Sequence, residues 1–148
     1  MMRKLLFSLS ALVLMALSVQ AQTPAPQHGL KAGYIALVVT GEVLPGQMDN
    51  FRKLVPRLIA AVAQEPGTLV YEWSFHPDQK TYNVVEVYQN SDALAAHLKH
   101  VIADFLKELG KVRKTTGATV FGSPDAQVKE LLVRLHPVYT SHIDGFMR

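Results

Sequence analysis

The chain contains no cysteine. That absence excludes a disulfide scaffold, a thiolate nucleophile, cysteine-ligated zinc or iron–sulfur centres, and a lipid-modified cysteine. Charge of one sign is scarce too, with 15 Lys and Arg against 12 Asp and Glu for a formal net charge of +3. Two of the cations, Arg3 and Lys4, form a short basic start, followed by an apolar run from Leu5 to Val19 and small residues at Ala21. This pattern predicts a cleavable secretory signal peptide over residues 1–21, and hence a periplasmic or secreted protein. Cleavage there would leave 127 residues with 13 cations and 12 anions. The remaining charge of +1 lacks the basic footprint of a nucleic-acid binder. The Leu5 to Val19 run falls short of the roughly 20 residues that a spanning helix needs, and no second apolar block follows, so no membrane association is expected after cleavage.

Equally absent are a Gly-rich phosphate loop, a G-x-G-x-x-G fingerprint, a G-x-S-x-G elbow and an H-E-x-x-H pair. Nucleotide-dependent, serine-hydrolase and zincin chemistry are therefore disfavoured. No internal repeat is visible. Residues 22–33, with two prolines and no periodicity, read as a flexible tether, which leaves residues 34–148 as one domain.

Within that domain, Tyr34 to Val43 is β-branched and apolar on both alternating sets, as in a strand covered on both faces. Pro45-Gly46 ends it. Met48, Phe51, Leu54, Val55, Leu58, Ile59 and Val62 form a helical stripe over about 47–64, with Pro56 predicting a kink or a late start. Glu65-Pro66-Gly67 stops this helix. Thr68 to Phe75 and Thr81 to Tyr88 predict a hairpin across His76 to Lys80, with Leu69, Tyr71, Trp73 and Phe75 on one face of the first strand. On the second, Tyr82, Val84, Glu86 and Tyr88 share a face. A second helix, capped by Asn90 or Ser91, carries Leu94, Leu98, Val101, Ile102, Phe105 and Leu109 and closes near Lys107 and Gly110. Thr115 to Gly122 is a further strand, Ser123-Pro124 opens a third helix bearing Val128, Leu131, Leu132 and Leu135, and Val138 to Ile143 a last short strand.

The order β-α-β-β-α-β followed by α-β predicts an α+β fold, a ferredoxin-like antiparallel sheet with helices on one face. The other face, also apolar, needs a cover that so short a chain cannot supply. A second copy packed sheet to sheet is the economical answer, so a homodimer is predicted.

Two polar residues stand out on apolar surfaces. His97 falls on the stripe of the second helix, where it is either a general base facing a cavity or a core histidine satisfied by a hydrogen bond. Glu86, on an apolar strand face, either orients His97 or touches substrate, or else pairs with Arg or Lys at the dimer seam. His100 lies toward the edge of the stripe. A metal site from Glu86, His97 and His100 matches ligand spacing only weakly, so no metal is assigned. Tyr71, Trp73, Phe75, Tyr82 and Tyr88 line an aromatic pocket or simply fill the core.

Several of these segments together carry a resemblance: Pro45-Gly46 before an amphipathic helix, the stretch from Glu65 to Glu72, the stretch from Glu86 to Leu94, and then His97. The chain resembles the antibiotic biosynthesis monooxygenase family, dimeric α+β barrels, and its tail from Phe121 to Pro124 and from Asp144 to Arg148 looks like the small quinol-monooxygenase type. The resemblance implies oxygenation of a quinol or similar phenol by O2 without metal, flavin or other cofactor. On the family's motif, His97 and Glu86 are the catalytic positions and Tyr71 the strand tyrosine; location alone adds Trp73, Tyr88 and His100 as substrate-binding residues. Tyr88 stands where many members carry Trp, and no first-strand Asn of the haem-degrading branch is present, which speaks against haem breakdown. The alternative is a non-catalytic dimer that binds a small apolar ligand in the same cavity.

Overall fold

A computed structural model describes residues 29–146; the signal peptide expected at 1–21, most of the tether, and Met147 and Arg148 lie outside the described residues. The elements are β1 (Ile35–Val43), α1 (Met48–Val62), β2 (Thr68–Phe75), β3 (Thr81–Tyr88), α2 (Ser91–Asp104), α3 (Leu106–Val112), β4 (Arg113–Phe121), α4 (Ala126–Leu132), a 3-10 turn (Val133–Leu135) and β5 (Val138–Tyr139). Strand order is β2-β3-β1-β4-β5. The first four strands pair antiparallel as in a ferredoxin-like sheet, while β5 joins β4 in parallel and makes the sheet mixed.

The alternation along β1 and β3 directs Ile35, Leu37, Val39, Tyr82, Val84 and Tyr88 into one core with the helices. α1 is continuous through Pro56. A proline inside a helix costs about 3 kcal/mol. Four buried side chains on the same helix, Phe51, Leu54, Leu58 and Val62, each contribute roughly 1.5–3 kcal/mol and outweigh it. The opposite face of the sheet is not covered in this way: Val70, Val85 and Phe121 are 40%, 41% and 39% exposed.

The elements depart in places from those predicted by periodicity. A bulge between Thr68 and Val70 takes Leu69 off the helix-facing set and leaves it exposed. The long second helix breaks at Phe105, whose backbone (φ −124°, ψ −20°) leaves the helical region. α3 then runs through Gly110 to Val112, and β4 begins at once at Arg113, two residues before the expected start. At the third helix Asp125, not Ser123, is the cap: its Oδ1 accepts the Val128 N–H at 2.9 Å. Asn90 does the same for Ala93 at 2.9 Å. The last strand shrinks to two residues, although Thr140 N still donates to Val120 O at 3.0 Å. Residues 29–33 of the expected tether touch the C-terminal segment through a Gly29 N–H to Gly145 O hydrogen bond.

Gly41 has a steric role. The Tyr82 phenol and the Lys114 carbonyl occupy the space that a Cβ would need, so only glycine lets the ring lie flat across β1.

Candidate active site

Between the sheet and helices α2, α3 and α4 lies a cavity of about 650 Å3. Its walls are mostly apolar, with Leu37, Val39 and Val84 from the sheet and Leu98, Val101 and Leu109 from the helices. The polar groups that reach it include Tyr71, Trp73, Glu86, His97 and Arg113. Ligand sites commonly take this form, an apolar shell with a few convergent polar groups.

His97, 3% exposed, is placed by its position on α2 beside the fully buried Leu94. Its Nδ1 is 2.9 Å from Oε2 of Glu65. The same oxygen accepts the Thr68 hydroxyl at 2.7 Å, and Oε1 of Glu65 meets Nδ1 of His100 at 2.6 Å. Nε2 of His100 lies 3.5 Å from Asp104 one turn on. Burial alone would raise the Glu65 carboxyl, but Thr68, His100 and His97 together hold it below the ordinary carboxylate value. An ionised carboxylate only accepts, so Nδ1 of His97 donates, and in the neutral imidazole the lone pair then sits on Nε2. A carboxylate thus fixes both the tautomer and the orientation of a buried imidazole.

Glu86 makes a different bond. Its Oε2 accepts the Tyr88 hydroxyl at 2.7 Å. Burial pushes this carboxyl up, against the opposing influence of His97, the Tyr88 hydroxyl and Arg113. The Tyr71 hydroxyl is raised as well, by burial first and the nearby Glu86 second, and stays a neutral donor. The Tyr71 ring meets His97 edge-on at 5.3 Å and Trp73 at 6.0 Å.

Of the residues predicted from sequence, His97, Glu86, Tyr71 and Trp73 share this cavity. Tyr88 and His100 are not among its lining residues: Tyr88 is fully buried behind Glu86, and His100 stands on the far side of Glu65. The carboxylate that orients His97 is Glu65, 32 residues away, which periodicity identified only as a helix stop. Arg113 was hidden for another reason, since the expected strand began after it. Among the described residues no group of three or more His, Asp or Glu is arranged to hold a metal ion, and no helix is long and apolar enough to cross a membrane.

The antibiotic biosynthesis monooxygenase family model matches residues 34–107, half of the chain. The chain belongs to this family. The match takes in Glu65, Tyr71, Trp73, Glu86 and His97, and stops before Arg113. Among solved structures of this fold, MupZ from Pseudomonas fluorescens aligns with a TM-score of 0.69 at 20% identity, covering 78% of this chain and 94% of that one. SnoaB, a cofactor-independent oxygenase from Streptomyces nogalater, aligns at 0.55 and 18%, covering 64% and 97%. A protein from Caulobacter crescentus aligns at 0.50 and 30%, covering 60% and 86%. No protein of curated function matches the chain in sequence.

Proposed function

We infer that this family member is an exported, cofactor-independent monooxygenase acting on a quinol or similar electron-rich phenol. One observation carries the reading: a buried histidine, its Nδ1 held by Glu65, lines a largely apolar cavity large enough for an aromatic ring. Nε2 of His97 accepts a phenolic proton, and the imidazolium that forms is balanced by the Glu65 carboxylate. The electron-rich anion passes one electron to O2, and the two radicals recombine at a ring carbon. Loss of water from the hydroperoxide then gives the hydroxyquinone, so that quinol and O2 become hydroxyquinone and one water. The chain contributes proton transfer, orientation and a site shielded from water. Family membership and the fold shared with SnoaB support this chemistry.

In this reading the protein works as a homodimer. The exposed apolar face of the sheet supports it, because Val70, Val85 and Phe121 would be buried by a second copy. Sedimentation of a monomer at micromolar concentration would refute the dimer. The basic start and apolar run of residues 1–21 support export, which a cell fractionation would test.

Oxygen uptake with a panel of hydroquinones tests the activity. Wild-type protein should consume O2 well above background, and His97→Ala should lose this while remaining folded. No uptake by the wild type would leave the cavity as a binding site without chemistry.

A further inference from the structure

Arg113 is the first residue of β4, and its position in the register, opposite Val43, turns its side chain to the helix face and so into the cavity. Nη1 donates to the Thr115 hydroxyl at 2.7 Å. Nε is buried with no hydrogen-bond partner. Among the described residues no carboxylate pairs with this guanidinium: Glu42, Glu65 and Glu108 are held by other partners, and Glu86 is bound to Tyr88. Two more buried donors without a partner lie on the same side, the indole Nε1 of Trp73 and the hydroxyl of Tyr82, whose rings stack at 5.1 Å. Burial raises the Tyr82 hydroxyl, and the nearby Arg113 guanidinium opposes that rise.

A guanidinium cannot shed its proton, so unlike a buried lysine it cannot relieve its burial by becoming neutral. Buried charges are ordinarily paired. Arg113, half-buried, instead lines a largely apolar cavity with no carboxylate partner. A guanidinium lining such a cavity matches a carboxylate, which takes two parallel N–H bonds from it. Glu130 and Arg134 also line the cavity, but both are exposed and oppose each other in sign.

We propose that the substrate of this cavity is an aromatic carboxylate, held through its carboxylate group by Arg113. The phenolic part of that substrate rests on the oxygenase reading above; the carboxylate part stands on Arg113 alone.

Anaerobic titration calorimetry separates the two. The probes are 2,5-dihydroxybenzoate and its neutral analogue 2,5-dihydroxybenzamide, with fluorescence of Trp73, the chain's one tryptophan, reporting that binding occurs in the cavity. The acid should bind at least about tenfold more tightly than the amide, as expected for hydrogen bonds to a charged group. Arg113→Gln should erase that preference and leave the amide's affinity unchanged, whereas Arg113→Lys, which keeps the charge, should retain part of it. His97→Gln should leave the preference intact. Equal binding of acid and amide, binding of neither, or a preference surviving in folded Arg113→Gln would overturn the proposal. A carboxylate preference without oxygen uptake would sink the oxygenase reading and spare this one; equal oxidation of acid and amide would do the reverse.

Discussion

The cavity has two polar sides in opposite states. On the α2 side, one carboxylate serves three donors: Glu65 binds Thr68, His97 and His100, each within 2.9 Å. On the sheet side, Arg113 of β4, Trp73 of β2 and Tyr82 of β3 each keep a buried polar atom without a partner. A satisfied network is rigid and holds a reactive group in place, whereas unsatisfied donors are a standing cost that a ligand can relieve. Under the two proposals above, catalytic positioning and substrate recognition fall on different elements of the fold.

The largest expected effect comes from breaking the satisfied side. Glu65→Ala strands two imidazole donors and the Thr68 hydroxyl, and should lower stability in urea by about 3 kcal/mol, the usual loss when one partner of a buried pair is removed. Under the oxygenase reading the same change should cut the rate of oxygen uptake by about 100-fold or more. Arg113→Met, on the unsatisfied side, should change stability by less than about 1 kcal/mol or raise it, because a half-buried guanidinium with no carboxylate partner gives way to an apolar chain of similar length. A loss as large as that of Glu65→Ala would erase the contrast.

Proton linkage distinguishes Glu65 from Glu86. Glu65 is held below the ordinary carboxylate value, so its contribution to stability is present above that value and is lost as pH falls through the lowered one. Glu86 is raised, so its contribution is complete below about pH 4.5 and is lost as pH rises through the raised value. Thermal melts should therefore show Glu65→Gln losing its deficit in acid, while Glu86→Gln gains on the wild type toward neutral pH. Removal of a cap away from the cavity sets the scale. Asn90→Ala takes away the acceptor of the Ala93 N–H and should cost about 1 kcal/mol, with no effect on ligand preference.

The elements were largely legible because each has a clear period. The stripe of α1 and the alternation of β3 name their buried residues, Phe51 and Leu58 on one and Tyr82, Val84, Glu86 and Tyr88 on the other. His97 stood out as the polar residue in an apolar stripe. Glu65 did not, because a glutamate before Pro66-Gly67 looks like any helix stop, and its meeting with His97 and His100 depends on the crossover that brings α2 alongside the α1–β2 turn. Arg113 depended on the break at Phe105, which a stripe continued by Leu109 conceals. Contacts between distant segments and exact element ends are set by packing rather than by local pattern, and both missed residues fall in that category.

Nitrogen-15 NMR of the histidine rings at pH 8 reads directly whether Glu65 fixes His97 as a base with its lone pair on Nε2. A His97 ring protonated at Nδ1 and bare at Nε2 is expected, with loss of that single tautomer in Glu65→Gln. A His97 ring protonated at Nε2 in the wild-type protein would contradict it.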